Sequence, residues 1–423
     1  MLDIKRIVQN KDAVEKALLK RMDKKSLNLD EIISTYNLRK QAQCDFDSKR
    51  AEQNEYNAKM SSVDKNSDEF KNLLLELKKK STEVKEAEET LKNLDEKLIH
   101  ELEVLPNIPD EDVSAGGKEA NQVIKMVGEK RTFNFKIKDH VELGKALGLF
   151  NLDTASKISG NNFNMYTNLG ARLEWAIINY FINEHIKSGY TMIIPPNLVT
   201  RESAYCAGQL PKFEEDVYWV QDGLCLIPTA ETALTNIFRN EILDEKELPK
   251  KFFAYTPCYR REAGSYRANE KGLIRMHQFN KVEMYQFTKE DGSEKAFDEL
   301  VEKAESLVNG LKLHYRVVKL AAGDCSAAAA KTYDIEVYIP SLDMYYEVSS
   351  VSNVRDYQSR RGNMRYKSEK NGEIKYMHTL NGSGLATSRL MVSLLETYQQ
   401  EDGSIVIPEV LRPFMDDMDK ISK

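Results

Sequence analysis

The densest run of chemically capable side chains is Tyr259-Arg-Arg-Glu-Ala-Gly-Ser265, resumed at Lys271-Gly-Leu-Ile-Arg-Met-His-Gln-Phe-Asn-Lys-Val-Glu283. Two short strands joined by a loop holding Gly264, Arg267 and Gly272 would present Arg260 and Arg275 to one polyphosphate, because guanidinium forks match phosphate oxygens. Phe279 lies two residues before Lys281 on the same strand face and offers a ring on which a purine can stack. Taken alone, the run reads equally well as a charged hairpin surface. Other chemistries find no support: there is no GxxxxGK[ST] and no GxGxxG after a strand, so neither a P-loop nor a dinucleotide fold is indicated. Cys44, Cys206, Cys225, Cys258 and Cys325 sit far apart, with no CxxC pair and no His at zinc spacing, and read as free thiols. None of the six histidines has an evident role as a base, and His277 within the run reads as structural.

The elements that must hold this run all follow residue 105. All 20 glycines and all 11 prolines do too, whereas an even spread would put about 8 of these 31 residues in the first 105. Pro106 and Pro109 end a long helical region, so a linker over 106–124 is expected between an N-terminal domain, 1–105, and a second domain, 125–423. In the second domain, β-rich runs (192–195, 251–255, 281–287, 333–339) mix with amphipathic helices. The clearest helix is 169–187, with Leu169, Leu173, Ala176, Ile177, Tyr180 and Phe181 on one face and Gly189 as its stop. Strands and helices do not alternate regularly, so the expected fold class is α+β, an antiparallel sheet flanked by helices.

From Leu27 to Leu105 the chain is rich in Lys and Glu. An apolar stripe at Leu77, Val84, Ala87, Leu91, Leu94 and Leu98, with Lys80 at one seam position, follows the coiled-coil repeat. Turn-forming residues over 60–68 predict two helices of about 30 to 37 residues folded back on each other, the first with a poorer seam of Ile33, Tyr36, Phe46 and Tyr56. Pattern alone favours a dimerisation coiled coil. Its basic residues, Arg39, Lys40, Lys49, Arg50, Lys71, Lys78, Lys79 and Lys80, would alternatively face phosphates. Net charge is 61 − 67 = −6, which gives no overall basic excess to advertise nucleic acid. The opening MLDIKRIVQNKD alternates apolar and charged residues without a signal-peptide core, so a cytoplasmic, non-membrane protein is expected.

The run from 259 to 283 closely resembles motif 2 of class II aminoacyl-tRNA synthetases, specifically the seryl family, whose pattern is FRREAGS, a variable loop, then GLIRVHQFxKVE. Helix 169–187 running into Ile193-Ile-Pro-Pro196 is similar to motif 1, and Leu380-Asn-Gly-Ser-Gly-Leu-Ala-Thr-Ser-Arg389 to motif 3. Leu210–Asp216, Ile227–Glu231, Glu347–Ser350 and the tail from Tyr398 to Pro413 also match, so the resemblance covers essentially the whole chain. Lys59-Met-Ser-Ser62 resembles the class I KMSKS signature, but no HIGH motif or Rossmann pattern accompanies it. Departures from the family pattern fall at Gly323–Lys331 (GDCSAAAAK for GDLGFSAAK), Ser349–Asn353 (SSVSN for SSCSN) and Ser159–Asn168.

The resemblance implies an enzyme that activates L-serine with ATP and transfers it to tRNA(Ser), with tRNA(Sec) left open as a second acceptor. The implied nucleotide-binding residues are Arg260, Arg261, Glu262, Met276, Phe279, Glu347, Val348, Ser349, Ser350 and Arg389. Arg260 falls at the α-phosphate, Glu262 at the adenine end, Phe279 against the base and Arg389 at the γ-phosphate. Glu347 and Ser350 resemble ligands of Mg2+ accompanying ATP, and Thr229, Ala230, Glu231, Arg260, Glu283 and Ser383 form the implied serine pocket. Arg260 and Arg389 are the implied catalytic pair, acting on charge without a side-chain nucleophile. The resemblance also implies a homodimer through motif 1, and turns the N-terminal coiled coil into a reader of tRNA. Two alternatives are a ligase that loads carrier proteins, whose members lack the long coiled coil, and a non-catalytic RNA-binding paralogue, which would be expected to lose Arg260, Glu262 or Arg389.

Overall fold

The computed structural model describes residues 1–262 and 271–423; Gly264 and Arg267 of the expected loop lie outside them. The chain divides into two compact units, Met1–Pro106 and Asn107–Lys423. In the first, α1 (Ile4–Gln9) and α2 (Lys11–Leu18) precede two long helices, α3 (Leu29–Ser62) and α4 (Asp68–Glu103). Asn28 caps α3 by accepting from Glu31 N, and Ser67 caps α4 by accepting from Phe70 N, each followed by acidic residues that suit a helix N-terminus.

The α4 seam follows the expected stripe: Val84, Ala87 and Leu98 are buried, and Leu77, Lys80, Leu91 and Leu94 are half-buried. The α3 seam differs from the expected one. Ile33 and Tyr36 flank it, and the positions that stay covered in heptad steps are Ile32, Thr35, Arg39, Ala42, Phe46, Lys49, Gln53 and Tyr56. Four of these eight are polar, which hides the stripe from a search for apolar residues. Polar pairs cross the seam instead: Thr35 Oγ1 donates to Glu101 (3.1 Å), Arg39 to Asp95 (2.8 Å) and Lys80 to Glu52 (2.8 Å), an order that makes the helices antiparallel.

The second unit is built on an eight-stranded sheet: β1 (Gln122–Val127), β2 (Thr191–Ile193), β3 (Lys250–Tyr259), β4 (Gln278–Thr288), β5 (Tyr315–Lys319), β6 (Lys331–Ile339), β7 (Met344–Arg355) and β8 (His378–Ala386). Their spatial order is β1-β5-β6-β7-β8-β4-β3-β2, and every pairing is antiparallel except β2 with β3. The unit also contains α5 (His140–Leu147), α6 (Asn168–Lys187), α7 (Ser293–Gly310), α8 (Tyr357–Gly362) and α9 (Thr387–Tyr398). Side chains alternate along β4: Val282 and Met284 join Ile177 and Phe181 of α6, Leu300 of α7 and Leu395 of α9 in the main core, while Tyr285 and Phe287 belong to a second core.

The expected linker, 106–124, is not a free tether. Asn107 N donates to Ala327 O, Ala322 N to Ser114 O, and Gln122 already belongs to β1, so backbone hydrogen bonds draw the stretch into the second unit. Among the described residues no helix is long and apolar enough to cross a membrane.

Candidate functional site

Strands β3 and β4 pair in continuous register from Lys250↔Phe287 to Tyr259↔Gln278, and their far ends carry the residues that resemble motif 2. They are longer than the short strands expected. Because side chains alternate, Phe279, Lys281 and Glu283 share one face of β4, opposite the face on which Val282 and Met284 pack into the main core, and Ser383 of β8 lies opposite Glu283.

Three adjoining cavities open on this face. One, of about 430 Å3, is bordered by Gln209, Phe213, Asp216, Val217, Pro228, Thr229, Glu231, Arg260, Glu262 and Ser326. A narrower cleft shares Arg260 and Glu262 with it and continues past Arg275, Met276, Phe279, Lys281, Glu347, Val348, Ser383 and Arg389. A third, of about 410 Å3, is bordered by Asp334, Glu336, Glu347, Ser350, Arg275 and Arg389 among others.

Polar residues at the base of the first cavity are fully engaged with one another. Thr229 Oγ1 donates to Glu283 Oε2 (3.0 Å), and the buried Lys281 donates to Thr229 Oγ1 (2.7 Å) and pairs with Glu283. Gln358 of α8 and Asn381 of β8 both donate to Glu231 Oε1, at 2.7 and 2.8 Å. Burial, reinforced by the Glu283 charge, pushes the Glu231 carboxyl up to about 7. In the cleft, the Arg260 guanidinium lies 5.2 Å from the Phe279 ring centroid and its Nε donates to Pro228 O (3.4 Å). Arg275 pairs with Glu262, whose backbone is left-handed (φ 51°). Arg389 donates from Nε to Ile274 O (3.1 Å) and from Nη1 to Glu347 O (3.0 Å).

The structure therefore gathers Arg260, Glu262, Met276, Phe279, Glu347, Val348, Arg389 and Ser383 at one cleft, and Thr229, Glu231 and Arg260 at the adjoining cavity, with Glu283 at its base. Three expected positions are placed elsewhere. Ser349 is fully buried and its hydroxyl donates to Ser383 O (2.6 Å), so it ties β7 to β8. Ala230 is fully buried at the start of the turn Glu231–Leu234, and the exposed Arg261 borders none of the three cavities. Sequence reasoning missed Lys281 as a site residue, although its alternation with Phe279 and Glu283 was a usable signal. It also missed Gln358 and Asn381, which meet Glu231 only through the fold.

Glu347 and Ser350 offer a carboxylate and a hydroxyl to the third cavity, hard oxygen donors of the kind Mg2+ takes. Asp334 beside them has a buried Oδ1 with no hydrogen-bond partner among the described residues, and burial with the Glu347 charge raises its carboxyl well above the usual range. This donor chemistry fits a cation. Among the described residues, however, no three His, Cys, Asp or Glu side chains are grouped closely enough to hold one by themselves.

Sheet, cleft and paired Arg residues together define the core of a class II aminoacyl-tRNA synthetase. A model of the tRNA synthetase class II core domain (G, H, P, S and T) matches residues 213–398, and one of the seryl-tRNA synthetase N-terminal domain matches residues 1–109. Serine–tRNA ligase 2 of Clostridium acetobutylicum is 49% identical over 422 residues, covering 98% of this chain and 99% of that protein. The seryl-tRNA synthetase from Pyrococcus horikoshii, solved in complex with ATP, superposes with a TM-score of 0.91 at 33% identity, covering 100% of this chain and 99% of that one. The cytoplasmic serine–tRNA ligase from Naegleria fowleri, in complex with AMP, gives 0.85 at 26% identity over 100% and 99% of the two chains. The chain belongs to the seryl-tRNA synthetase family.

Proposed function

We propose that the chain charges tRNA(Ser) with serine in two steps, forming seryl-adenylate from serine and ATP and then passing the seryl group to the tRNA 3′ end. The observation that carries the site assignment is that one narrow cleft, bordered by Arg260, Glu262, Phe279 and Arg389, shares Arg260 and Glu262 with a cavity whose base is acidic. The cleft takes ATP, with the base against Phe279 and the phosphates between Arg260 and Arg389. The cavity takes serine, its ammonium facing Glu231 and Glu283 and its hydroxyl within reach of Thr229. The serine carboxylate attacks the α-phosphorus and pyrophosphate leaves, and Arg260 neutralises the charge that develops there. Lys281, already bonded to Thr229 and Glu283, keeps that pair of acceptors oriented.

Glu347 and Ser350 would hold Mg2+, and the ion would supply further neutralisation of phosphate charge. The α3–α4 pair contacts the tRNA through its basic residues, as expected of a cytoplasmic enzyme of translation. A second copy of the chain covers the exposed Trp175 of α6 and Ile194 beyond β2, which are 52% and 85% exposed. Serine-dependent ATP–pyrophosphate exchange, followed by seryl transfer to tRNA(Ser), tests the assignment. Exchange supported equally by alanine would contradict it, since a site that bonds the serine hydroxyl rejects its absence.

A further inference from the structure

The buried His140 at the start of α5 belongs to none of the cavities, yet it connects two of the cleft's walls. Its backbone N and its Nδ1 both face Glu396 Oε1, at 2.9 and 3.1 Å, and Leu273 N donates to its Nε2 at 3.3 Å. Since Nε2 accepts, the ring is neutral with its proton on Nδ1, which donates to Glu396. Glu396, fully buried on α9, also accepts from Ser341 N (2.9 Å) and Ser341 Oγ (3.0 Å).

Two turns earlier on the same helix, Arg389 donates to Ile274 O (3.1 Å). The dipeptide Leu273–Ile274 is therefore held by α9 twice: directly by Arg389, and through His140 by Glu396. Both residues are buried, and the next two, Arg275 and Met276, border the cleft. The neighbouring Gly272 has φ +65°, and a Cβ there would lie 2.3 Å from His140 Nε2, so only glycine lets the backbone approach the ring this closely. Lys271 pairs with Asp139 at 2.6 Å, adding an anchor from the residue before His140.

We propose that His140 is a positioning residue for the nucleotide cleft, locking the backbone at Leu273–Ile274, and with it Arg275, Met276 and the grip of Arg389, into one geometry. The serine cavity shares Arg260 and Glu262 with the cleft, but among the described residues its Gln209, Thr229 and Glu231 border makes no bond to Leu273, Ile274 or His140, so the lock acts chiefly on the nucleotide side. The inference rests on the cleft being the ATP site.

Two full-length variants separate the ring's two contacts. His140→Asn keeps an amide N–H at the Nδ1 position for Glu396 but is too short to reach Leu273 N; His140→Gln carries an acceptor to the Nε2 position. In serine-dependent ATP–pyrophosphate exchange with each substrate varied in turn, His140→Asn is expected to raise the ATP KM about tenfold and leave the serine KM within about twofold, the loss of one buried hydrogen bond. His140→Gln is expected to stay within about threefold of wild type for ATP. Equal ATP KM values for the two variants, or parallel rises in the ATP and serine KM, would overturn the proposal. Should His140→Asn not fold, Glu396→Gln, which keeps an acceptor oxygen but loses the carboxylate, is read in the same way and with the same two overturning results. Wild-type exchange that shows no saturation by ATP would instead refute the assignment of the cleft itself.

Discussion

The helix pair α3–α4 and the face of β4 bearing Phe279, Lys281 and Glu283 are both rich in charge, and they place it in opposite ways. Along the helices, the cross-seam pair Arg39–Asp95 leaves its side chains 32% and 41% exposed. On the sheet, Lys281 and Glu283 are 7% and 2% exposed and each has a second partner in Thr229. Exposed pairs are screened by water and salt and give register more than stability, whereas a buried charge is tolerated only when every partner is present. The sheet unit thus concentrates its charge in a few mutually dependent buried groups, and the helix pair spreads its charge over many exposed ones.

The sharpest way to break this contrast is at Arg260. Arg260→Ala is expected to reduce serine-dependent pyrophosphate exchange on the order of a thousandfold, because it removes charge at the reacting phosphate. Near-normal exchange would place the chemistry elsewhere. Next in size is removal of residues 30–104 with a short turn in their place, which is geometrically feasible because the base of the pair is closed by Thr35 and Glu101 at 3.1 Å. Exchange should survive while seryl transfer to tRNA falls on the order of a hundredfold, through lost phosphate contacts. A folded protein that loses both activities would refute the division of labour.

A smaller effect follows from Glu231. Its carboxyl titrates at about 7 rather than in the usual carboxylate range, so below that pH it is protonated and cannot attract an ammonium. The serine KM should therefore rise as pH falls through 7, by up to about tenfold per unit, while the ATP KM stays level. A serine KM that is flat from pH 8 to 6 would remove Glu231 from the pocket. Arg39→Ala on the helix pair should have the least effect, on the order of 0.5 kcal/mol by denaturant unfolding with exchange unchanged. A loss of several kcal/mol there would erase the distinction between the two regions.

Much of this was legible in the sequence, for a local reason. The absence of Gly and Pro before residue 105, the seam from Leu77 to Leu98, and the helix 169–187 are patterns of near neighbours, and all three reappear as α3–α4 and α6. In the α3 seam, Phe46 and Tyr56 fall where expected, whereas Ile33 and Tyr36 lie one position off the covered Ile32 and Thr35, because Thr35, Arg39, Lys49 and Gln53 occupy covered places and only the facing helix shows why polar residues suit them. Arg260, Glu262, Phe279, Arg389 and Glu283, which gather at the cleft and the adjoining cavity, were read from resemblance to family motifs, and strand alternation links Lys281 to them.

The sequence by itself therefore determined the family, the two-part organisation and the chemical types at the proposed nucleotide cleft, since each is written in contiguous residues. Only the tertiary structure decided which of those residues face the site. Ser349 turns away to bond Ser383 O, 34 residues further on, and the stretch after Pro106 joins the sheet unit. The same holds for Glu231, raised by burial and the Glu283 charge and bonded by Gln358 and Asn381, and for His140, set between Leu273 and Glu396 across gaps of 133 and 256 residues. Burial and partnership across such distances are properties of packing, and no periodicity along the chain encodes them.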